Sequence, residues 1–411
     1  MKIAHLSTGI SNSSAVTRLH KSMLNKGIDS YLITLRETNN IDRAIKYTSY
    51  TNFMRLKRSL KIILDKLTLK IYKNRENVLY SLTSGYDISK IKELKEADII
   101  HLHWISGSFI DLKSLKKLNK PIVYTCHDSL PFTGGCHVKY KCENYKTGCG
   151  NCRMLNSNNL KDISYYINKR KKNIYKDLDL SFICPSNWIN NQLKESNICN
   201  RKKSYVIGNT LDFDIFNIKS NDSFKELESN KIKILFGAVD PKDVEYKGYS
   251  IIIEFIKKLK RDNKKLLDEM QFVVFGTADI DEISNLGVNC VAMGEIKSQE
   301  NLASLYNDCD MLLYPSLEDN LPNVVMESLA CGLPVIAFNI GGISDLVKHK
   351  KNGYLVKEKE VEELLQGVIW IIDNKIDKEK IRETVFCKYN NDEIIEKHIN
   401  LYKSLIKNKF R

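Results

Sequence analysis

Short, nearly continuous apolar segments alternate with helical sequence along most of the chain, and this alternation limits the possible folds more than any other feature. The first half contains KIAHLS, DSYLITL, ADIIHLHW, PIVYTC and LSFICPS, and the second half contains KIKILFGA, MQFVVFG, VNCVAMG, CDMLLYPS and LPVIAF. Apolar strands separated by helices are typical of parallel sheets that are covered on both faces. The sequence therefore predicts an α/β protein with two Rossmann-like domains, whose ligand site we expect in the cleft between them.

The domain boundary is predicted from a polar stretch, Asn217 to Lys231, which lacks apolar periodicity and reads as linker and loop. A length of 411 residues is comfortable for two domains. We predict an N-terminal domain over residues 1–212 and a C-terminal domain over 213–390. The final helical segment, 391–411, follows the second sheet, and we expect it to return to the N-terminal domain.

Composition excludes some classes of protein and leaves others open. Apolar residues make up 43% and charged residues 28%, and no apolar run approaches the ~20 residues that span a membrane. The N-terminus lacks the features of a signal peptide, so we expect a cytoplasmic protein. The net charge of +14 indicates an anionic partner such as membrane phosphate, nucleotide or nucleic acid, or else simply a lysine-rich solvated surface.

The stretch YPSLEDNLPNVVMESLACGLPVIAFNIGG places two carboxylates, Asp319 and Glu327, around a predicted helix start. Pro322 suits the first helical position and Gly332 suits the end of the helix. Free N–H groups at a helix start attract phosphate, and flanking carboxylates accept hydrogen bonds from hydroxyl groups. A nucleotide sugar has this layout of sugar, diphosphate and ribose. The alternative is a pair of acids that only interact with the helix dipole.

This stretch resembles the E-x7-E signature of glycosyltransferase family 4, whose members are retaining enzymes of the GT-B fold. Asp319 stands where the first residue is usually Glu, and Asn320, Leu321 and Pro322 replace the glycines that usually follow. The resemblance extends over nearly the whole chain and is strongest in the C-terminal half. It implies that the N-terminal domain binds the acceptor and the C-terminal domain binds the nucleotide sugar.

The resemblance also implies individual site residues. Lys247 would bind the diphosphate, with Lys242 replacing a basic residue for which this chain has Ala238, and backbone groups near Ile296 would hold the base. His127, in YTCHD, would lie opposite the sugar. Ser13 and Ser14 follow the one remaining glycine of the N-terminal loop and could donate hydroxyls or cap a helix. The implied donor-binding residues are Gly9, Lys247, Ile296, Asp319, Asn320, Leu321, Asn323, Val324 and Glu327; the implied catalytic residues are His127, Asp319 and Lys247.

The expected chemistry is hexosyl transfer without a catalytic metal. Lys247 and the N–H groups before Val324 would stabilise the charge that develops on the leaving nucleotide diphosphate. The family's retaining chemistry implies that the departing phosphate acts as base, while His127 orients the sugar or stabilises the oxocarbenium-like state. His103, in HLHWISG, is favoured as a structural histidine over a residue of the acceptor side.

A cysteine-rich insertion, 133–155, is the most distinctive local feature. Eleven cysteines are many for a cytosolic chain, and an odd number argues against a complete disulfide framework. Four of them suit a structural zinc ion that would staple a loop after the His127 strand. Four reduced thiols, or a redox pair at Cys149 and Cys152, are the alternatives. A similar insertion occurs in members of the family from bacterial surface-polysaccharide clusters. The predicted ligands are Cys136, Cys142, Cys149 and Cys152.

The segment from Met54 to Lys73 is basic and amphipathic. It carries seven basic residues and one acid from Arg55 onward, and Leu56, Leu60, Ile63, Leu67 and Ile71 recur at helical spacing. Such a helix can lie on an anionic bilayer, or it can be an ordinary surface helix whose apolar face packs on its domain.

These observations together predict a glycosyltransferase that moves a sugar from a UDP- or GDP-sugar to a lipid-linked glycan. We expect it in the cytoplasm, peripheral on the inner face of the membrane. The first alternative is a nucleotide-sugar epimerase of the same fold. The second, a basic zinc-stapled nucleic-acid binder, is disfavoured because no aromatic platform accompanies the basic residues and no zinc-finger spacing ends in histidines.

Overall fold

The structure is a computed structural model that describes residues 1–36, 38, 40–47, 52–82, 85–219, 223–238, 245–277, 280–357 and 360–409. The chain divides into two compact units. The N-terminal unit comprises Met1–Thr210 and Asp392–Arg411, and the C-terminal unit comprises Leu211–Asn391.

The N-terminal unit contains a seven-stranded parallel sheet in the order β3-β2-β1-β4-β5-β6-β7. Its strands are β1 (Lys2–Ser7), β2 (Asp29–Thr34), β3 (Ala44–Lys46), β4 (Ile99–Leu102), β5 (Ile122–Thr125), β6 (Leu180–Cys184) and β7 (Lys203–Val206). Its α-helices are α1 (Ala15–Asn25), α2 (Asn52–Lys70), α3 (Lys92–Glu96), α4 (Ile163–Lys176), α5 (Asn187–Glu195) and, from the end of the chain, α14 (Asn391–Lys409). Short 3-10 helices span Leu112–Leu118, Leu130–Phe132, Asn144–Lys146 and Arg153–Leu155.

The C-terminal unit contains a six-stranded parallel sheet in the order β10-β9-β8-β11-β12-β13. Its strands are β8 (Ile232–Ala238), β9 (Met270–Gly276), β10 (Cys290–Gly294), β11 (Met311–Tyr314), β12 (Val335–Phe338) and β13 (Gly353–Val356). Its α-helices are α6 (Tyr249–Asp262), α7 (Lys264–Asp268), α8 (Asp281–Ser284), α9 (Gln299–Asp308), α10 (Asn323–Ala330), α11 (Ile343–Leu346), α12 (Val361–Asn374) and α13 (Lys378–Tyr389), with a 3-10 turn at Glu245–Lys247. The predicted α/β class with two Rossmann-like sheets is confirmed.

Both sheets reverse their strand order at one point; Gly9, Lys247 and Asp319 follow strands that flank these points, whereas His127 follows the strand next to β4. In the N-terminal unit the reversal lies between β1 and β4, and in the C-terminal unit between β8 and β11. Gly9 follows β1 and His127 follows β5, while Lys247 follows β8 and Asp319 follows β11. Because all strands of a parallel sheet end at the same edge, each unit gathers its own candidate residues there.

Helix α14 packs on the N-terminal unit although it is the last helix of the chain. The Tyr402 hydroxyl and the Nδ1 atom of His101 are 2.7 Å apart, and both side chains are fully buried. His398 of the same helix is also buried and lies with its ring centroid 6.2 Å from that of His101. The carboxyl-terminal helix therefore covers the face of the sheet that carries His101.

Three strands have no counterpart among the predicted apolar segments, and all three are edge strands. β3 and β7 lie at the two edges of the first sheet and β13 at one edge of the second. Edge strands pair on one side only and are half exposed, so their sequences lack a long apolar run. The predicted linker from Asn217 to Lys231 carries no helix or strand in its described part; Glu228 N donates to Gln271 Oε1 of its own unit at 3.0 Å.

Candidate active site

The segment between β11 and α10 forms the first part of the candidate site. Pro322 has φ −66° and ψ 121°, so it caps the helix from an extended conformation, and α10 begins at Asn323 rather than at Pro322 as predicted. Gly332 follows the last helical turn with φ +74°, and Leu333 N donates to Ser328 O at 2.9 Å. The first backbone N–H groups of α10 consequently stand directly after Asp319, Asn320 and Leu321.

An ion pair joins the two segments of the C-terminal unit. Lys247 Nζ lies 2.6 Å from Asp319 Oδ2, and the Tyr314 hydroxyl donates to the same oxygen at 2.6 Å. The other oxygen, Oδ1, accepts from Asn320 N at 2.8 Å. Burial by itself lowers the pKa of Lys247, but Tyr314 and Asp319 outweigh this effect, and the pKa lies above the ordinary value. Lys247 is therefore positively charged at neutral pH, and its anionic partner is Asp319.

Two glycines allow the close backbone approaches that hold this pair. Gly248 has φ +83°, and a Cβ atom there would lie 2.1 Å from Pro315 O. Gly341 has φ +58°, and a Cβ atom there would lie 1.9 Å from Asp319 O. Side chains larger than hydrogen are excluded at both positions, both by the left-handed conformation and by direct contact with backbone. Glycine is thus required at positions 248 and 341 by the packing around Asp319.

Glu327 lies in the second turn of α10 and is only 3% exposed. Its Oε2 atom accepts from the Tyr306 hydroxyl of α9 at 3.1 Å. This contact orients the carboxylate and was not foreseen from the sequence. A ligand that reaches Glu327 would meet a carboxylate whose direction is already set by a fully buried tyrosine.

His127 and Asp128 end the β5 segment of the N-terminal unit and belong to two different hydrogen-bond networks. His127 Nε2 lies 3.0 Å from His103 Nδ1, and burial lowers the pKa of His127 to about 4. Asp128 Oδ2 accepts from His137 Nδ1 at 2.6 Å and from Trp104 Nε1 at 2.9 Å. His103 is 3% exposed, as expected for a structural histidine, but its partner is the candidate catalytic residue.

The remaining implied donor-binding residues lie in loops at the same sheet edges. Gly9 follows β1, and Ser14 caps α1 by accepting from Thr17 N at 3.4 Å. Ser13 shares a hydrogen bond of 3.4 Å with Ser11. Ile296 stands between β10 and α9. Lys242 lies outside the described residues.

The cysteine-rich insertion forms a tightly packed loop with a small cavity. All four predicted ligands line this cavity of about 20 Å³, which is the size needed for one water-sized species. Met154 and Leu155 donate backbone N–H groups to the Cys152 sulfur, and Asn168 Nδ2 lies 3.6 Å from Cys149 Sγ. The loop is joined to the β5 segment because His137, which follows Cys136, holds Asp128.

The four sulfur atoms lie too far apart in this structure to coordinate one ion together. Burial raises the pKa of Cys149 to about 12 and also raises the pKa of Cys136 and Cys152. Among the described residues, the only three ligand-type atoms within 4.8 Å of one another belong to His5, His101 and His103. Zinc binding would therefore require the four sulfur atoms to draw closer and to lose their protons.

The apolar stripe of α2 is exposed rather than packed on its unit. Asp65 Oδ2, on the opposite face of the helix, accepts from Ser108 Oγ at 2.7 Å and anchors α2. The side chains of Arg55, Lys57, Arg58 and Lys61 lie outside the described part of the chain. Within the described residues, no helix is both long and apolar enough to cross a membrane. The exposed fractions of the stripe are Leu56 59%, Leu60 51%, Ile63 51%, Leu67 52% and Ile71 76%.

Family models match both halves of the chain. The model described as "Glycosyltransferase Family 4" matches residues 13–215, and the model described as "Glycosyl transferases group 1" matches residues 219–386. The chain belongs to glycosyltransferase family 4. This family 4 glycosyltransferase has relatives in polysaccharide biosynthesis. It is 25% identical to WcaC of Escherichia coli, whose name assigns it to colanic acid biosynthesis, over 75% of this chain and 76% of the relative.

Solved structures extend the similarity to the whole chain at the level of the fold. Sucrose-phosphate synthase from Thermosynechococcus elongatus aligns with a TM-score of 0.69 and 16% identity over 99% of both chains. The Anabaena protein Alr3699/HepE, solved in complex with UDP and glucose, aligns with a TM-score of 0.64 and 15% identity over 98% of this chain and 100% of that one. The family 4 glycosyltransferase therefore has the GT-B fold, as the sequence predicted.

Substitution of Gly248 by alanine tests how the site is built. We expect Gly248→Ala to lower the free energy of unfolding of the C-terminal unit by about 1–3 kcal/mol. It should also displace Lys247, because the new Cβ atom would clash with Pro315 O. Gly287→Ala is the matched control: its φ is +67°, but the nearest atom to its Cβ is Lys260 Nζ at 3.8 Å. Calorimetry should show a larger loss of stability for Gly248→Ala than for Gly287→Ala. Equal losses would mean that the positive φ alone, and not the contact with Pro315 O, accounts for the loss.

Proposed function

We propose that this glycosyltransferase moves a hexose from a UDP- or GDP-sugar to a lipid-linked glycan at the cytoplasmic face of the membrane, with retention of anomeric configuration and without a catalytic metal. One observation carries the donor part of the proposal. The Lys247–Asp319 ion pair stands beside the N-terminus of α10, at the strand-order reversal of the C-terminal sheet. A cation, free N–H groups and carboxylates are thereby grouped where such sheets bind ligands.

Binding of the donor would change the partners of Lys247 and Asp319. A diphosphate that approaches the start of α10 offers Lys247 a second anion, and the helix N–H groups add hydrogen-bond donors. Asp319 would then accept hydroxyl groups of the sugar, and Glu327 would accept those of the ribose. A solved neighbour of the same fold binds UDP and glucose, which supports the choice of a nucleotide donor.

The transfer step needs stabilisation of the leaving group more than a strong base. Negative charge develops on the diphosphate oxygen as the bond to the sugar breaks, and Lys247 and the N–H groups of α10 are placed to stabilise it. The phosphate oxygen would take the proton of the acceptor hydroxyl on the same face of the sugar, which gives retention. His127 would contact the sugar. Chelation of divalent cations should leave the rate unchanged.

Two other functions remain to be separated by experiment. An epimerase of the same fold would bind the nucleotide alike, but it would convert the donor in the absence of any acceptor. A nucleic-acid binder would show salt-dependent binding of single-stranded RNA or DNA and no nucleotide-sugar turnover. Product analysis with and without a polyprenyl-diphosphate glycan acceptor decides: a product only with acceptor supports transfer, and an altered sugar without it supports epimerisation.

Substitutions of the two carboxylates should separate binding from turnover. Glu327→Gln should weaken the binding of the nucleotide by ~1.5–3 kcal/mol, because charge-assisted hydrogen bonds to the ribose are lost. Asp319→Asn should lower kcat more than nucleotide affinity, because its ligand would be the transferred sugar. Calorimetric titration with UDP and GDP provides the check, and unchanged affinity of Glu327→Gln for both would contradict this placement.

The acceptor would be reached through α2. An exposed apolar stripe flanked by basic residues suits an anionic bilayer, since the leucines enter the interface and the lysines meet the headgroups. Lys66, Lys70 and Lys73 are exposed. The sequence from Arg55 to Lys73 contains seven basic residues and one acidic residue. A lipid-linked acceptor lies in the same surface, so membrane binding would raise its local concentration at the enzyme.

Removal of the apolar stripe should release the protein from membranes. We expect the triple variant Leu60→Gln, Ile63→Gln and Leu67→Gln to bind vesicles that contain phosphatidylglycerol at least about tenfold more weakly, since each buried leucine contributes ~1.5 kcal/mol. Leu160→Gln is the control, because Leu160 is 75% exposed but lies outside α2. Transfer to a soluble acceptor should be unchanged. Wild-type protein that ignores these vesicles at low salt would refute the role of α2.

The cysteine-rich loop would hold one structural zinc ion. Four thiols line one cavity and backbone N–H groups already point at Cys149 and Cys152, which is the environment that a bound thiolate requires. The ion would fix the loop that carries His137, and through Asp128 it would stiffen the end of the β5 segment. It would take no part in the transfer step.

Protein purified without a metal-affinity tag should contain about one zinc per chain by elemental analysis. Cys152→Ser should lose the zinc and should make residues 133–155 sensitive to proteolysis, because metal binding and folding of such a loop are coupled. Cys387→Ser, which changes an exposed free cysteine, should keep both the zinc and the protection. Metal-free protein in which all four thiols titrate freely, or a disulfide between Cys149 and Cys152, would rule out the zinc site.

A further inference from the structure

An open polar cavity of about 420 Å³ lies beside the cysteine-rich insertion. Asn74 and Glu76 form one wall and residues 151–158 form the other, so the cavity belongs entirely to the N-terminal unit. Its volume falls within the ~300–1,000 Å³ that is usual for sites of small ligands. Its lining differs from the apolar lining of most such sites, because it consists of four asparagines, one serine, one arginine and one glutamate.

The backbone that carries these side chains is held by hydrogen bonds. Glu76 N donates to Met154 O at 3.1 Å, which joins the two walls. Asn151 N donates to Asn159 O at 2.8 Å and closes the second wall into a loop. Asn144 Nδ2 donates to Asn151 O at 3.1 Å and holds the start of that loop. The shape of the cavity is therefore set by the fold and does not depend on a ligand.

One stretch of backbone serves both the cysteine-rich insertion and the polar cavity. Cys152 is buried and lines the small cavity of the four cysteines. Its neighbours Asn151 and Arg153 are exposed and line the polar cavity. The loop thus carries a thiol on its inner side and hydrogen-bonding side chains on its outer side, so whatever fixes the insertion also fixes this wall of the polar cavity.

The lining suits a neutral ligand with several hydroxyl groups. A carboxamide offers two N–H donors and a carbonyl acceptor, and a sugar hydroxyl both donates and accepts, so one asparagine can bind two neighbouring hydroxyls. Glu76 and Arg153 contribute one charge of each sign, so the formal charge of the lining is zero. Sites for phosphate instead gather basic residues. The chemistry of the cavity therefore favours a sugar over a free anion.

Backbone conformation is a competing reason for asparagine at three of these positions. Asn74, Asn151 and Asn156 have φ of +56°, +46° and +49°, a region that asparagine tolerates better than most residues. Asn158 lines the same cavity and is not among the residues with positive φ, so conformation does not explain its presence. Glycine separates the two explanations, because it keeps the positive φ and removes the amide.

We propose that this polar cavity is a binding subsite for sugar residues of the lipid-linked acceptor, which it holds through hydrogen bonds from its asparagines, Arg153 and Glu76. This inference rests on the proposed function, in which α2 lies on the membrane. Helix α2 ends at Lys70, and Asn74 follows shortly after it. A membrane-bound α2 therefore places the cavity beside the headgroups, where the glycan of such an acceptor begins. The subsite takes no part in the transfer step.

Saturation-transfer NMR of the full chain tests the cavity with three neutral probes, the methyl glycosides of cellobiose, lactose and chitobiose. We expect at least one probe to bind. The double variant Asn74→Gly and Asn156→Gly should weaken this binding about fivefold or more, because two amide groups are lost while the backbone keeps its conformation. Asn119→Gly is the matched control and should bind as the wild type does, since Asn119 has φ +48° but does not line the cavity.

Arg153→Met provides a second variant that removes donors from the cavity at an exposed position, and it should weaken binding of the same probe. Three results would overturn the proposal. These are absence of binding by all three probes, unchanged affinity in both the double variant and Arg153→Met, and displacement of the bound disaccharide by inorganic pyrophosphate, which would indicate an anion site.

Transfer in detergent micelles provides a second readout to which vesicle binding by α2 does not contribute. The double variant should raise KM for a polyprenyl-diphosphate glycan acceptor about fivefold or more, should change kcat less than KM, and should bind UDP or GDP as the wild type does. An unchanged KM would contradict the inference. Probe binding that depends on these asparagines in a protein that transfers no sugar would instead refute the proposed function, whereas transfer without probe binding would refute only the subsite.

Discussion

The ion pair between Lys247 and Asp319 connects two segments of the C-terminal unit at the point where its parallel sheet reverses strand order. The pair is held by backbone rather than by long side chains, because Leu317 N donates to Tyr246 O at 2.7 Å and Gly342 N donates to Asp319 O at 3.0 Å. The start of α10 is fixed by the same contacts. The ion pair and the start of α10 are therefore arranged before a ligand arrives, which lowers the cost of binding.

The N-terminal unit has the same sheet architecture, but the side chains at the ends of its strands differ in charge from those of the C-terminal unit. His5, His101 and His103 are buried and uncharged, and Asp128 is paired with His137, so these side chains interact through hydrogen bonds rather than as isolated charges. Asp128 is held by His137 of the cysteine-rich loop and by Trp104, and His127 is held by His103. Two supports thus reach the end of the β5 segment, one from the sheet interior and one from the loop.

The sequence was sufficient for the central strands and for the loop around Asp319, because buried parallel strands are apolar throughout and because Pro322 and Gly332 delimit a helix. It was insufficient for the edge strands β3, β7 and β13, whose stability comes from pairing and not from their own composition. The roles of Tyr314 and Tyr306 depend on register between separate elements and could not be read from spacing. The contacts between the buried histidines did leave a trace, since KIAHLS, ADIIHLHW and YTCHD each place histidine near a strand end.

The central claim is that the C-terminal unit binds a nucleoside diphosphate through Lys247. Calorimetric titration of wild-type protein and of Lys247→Met with UDP and GDP tests it most directly. We expect one of the two nucleotides to bind the wild type at one site per chain, and we expect Lys247→Met to weaken this binding at least about tenfold, since a charge-assisted contact to phosphate is lost. Absence of binding to both nucleotides, or equal affinity of the variant, would contradict the account.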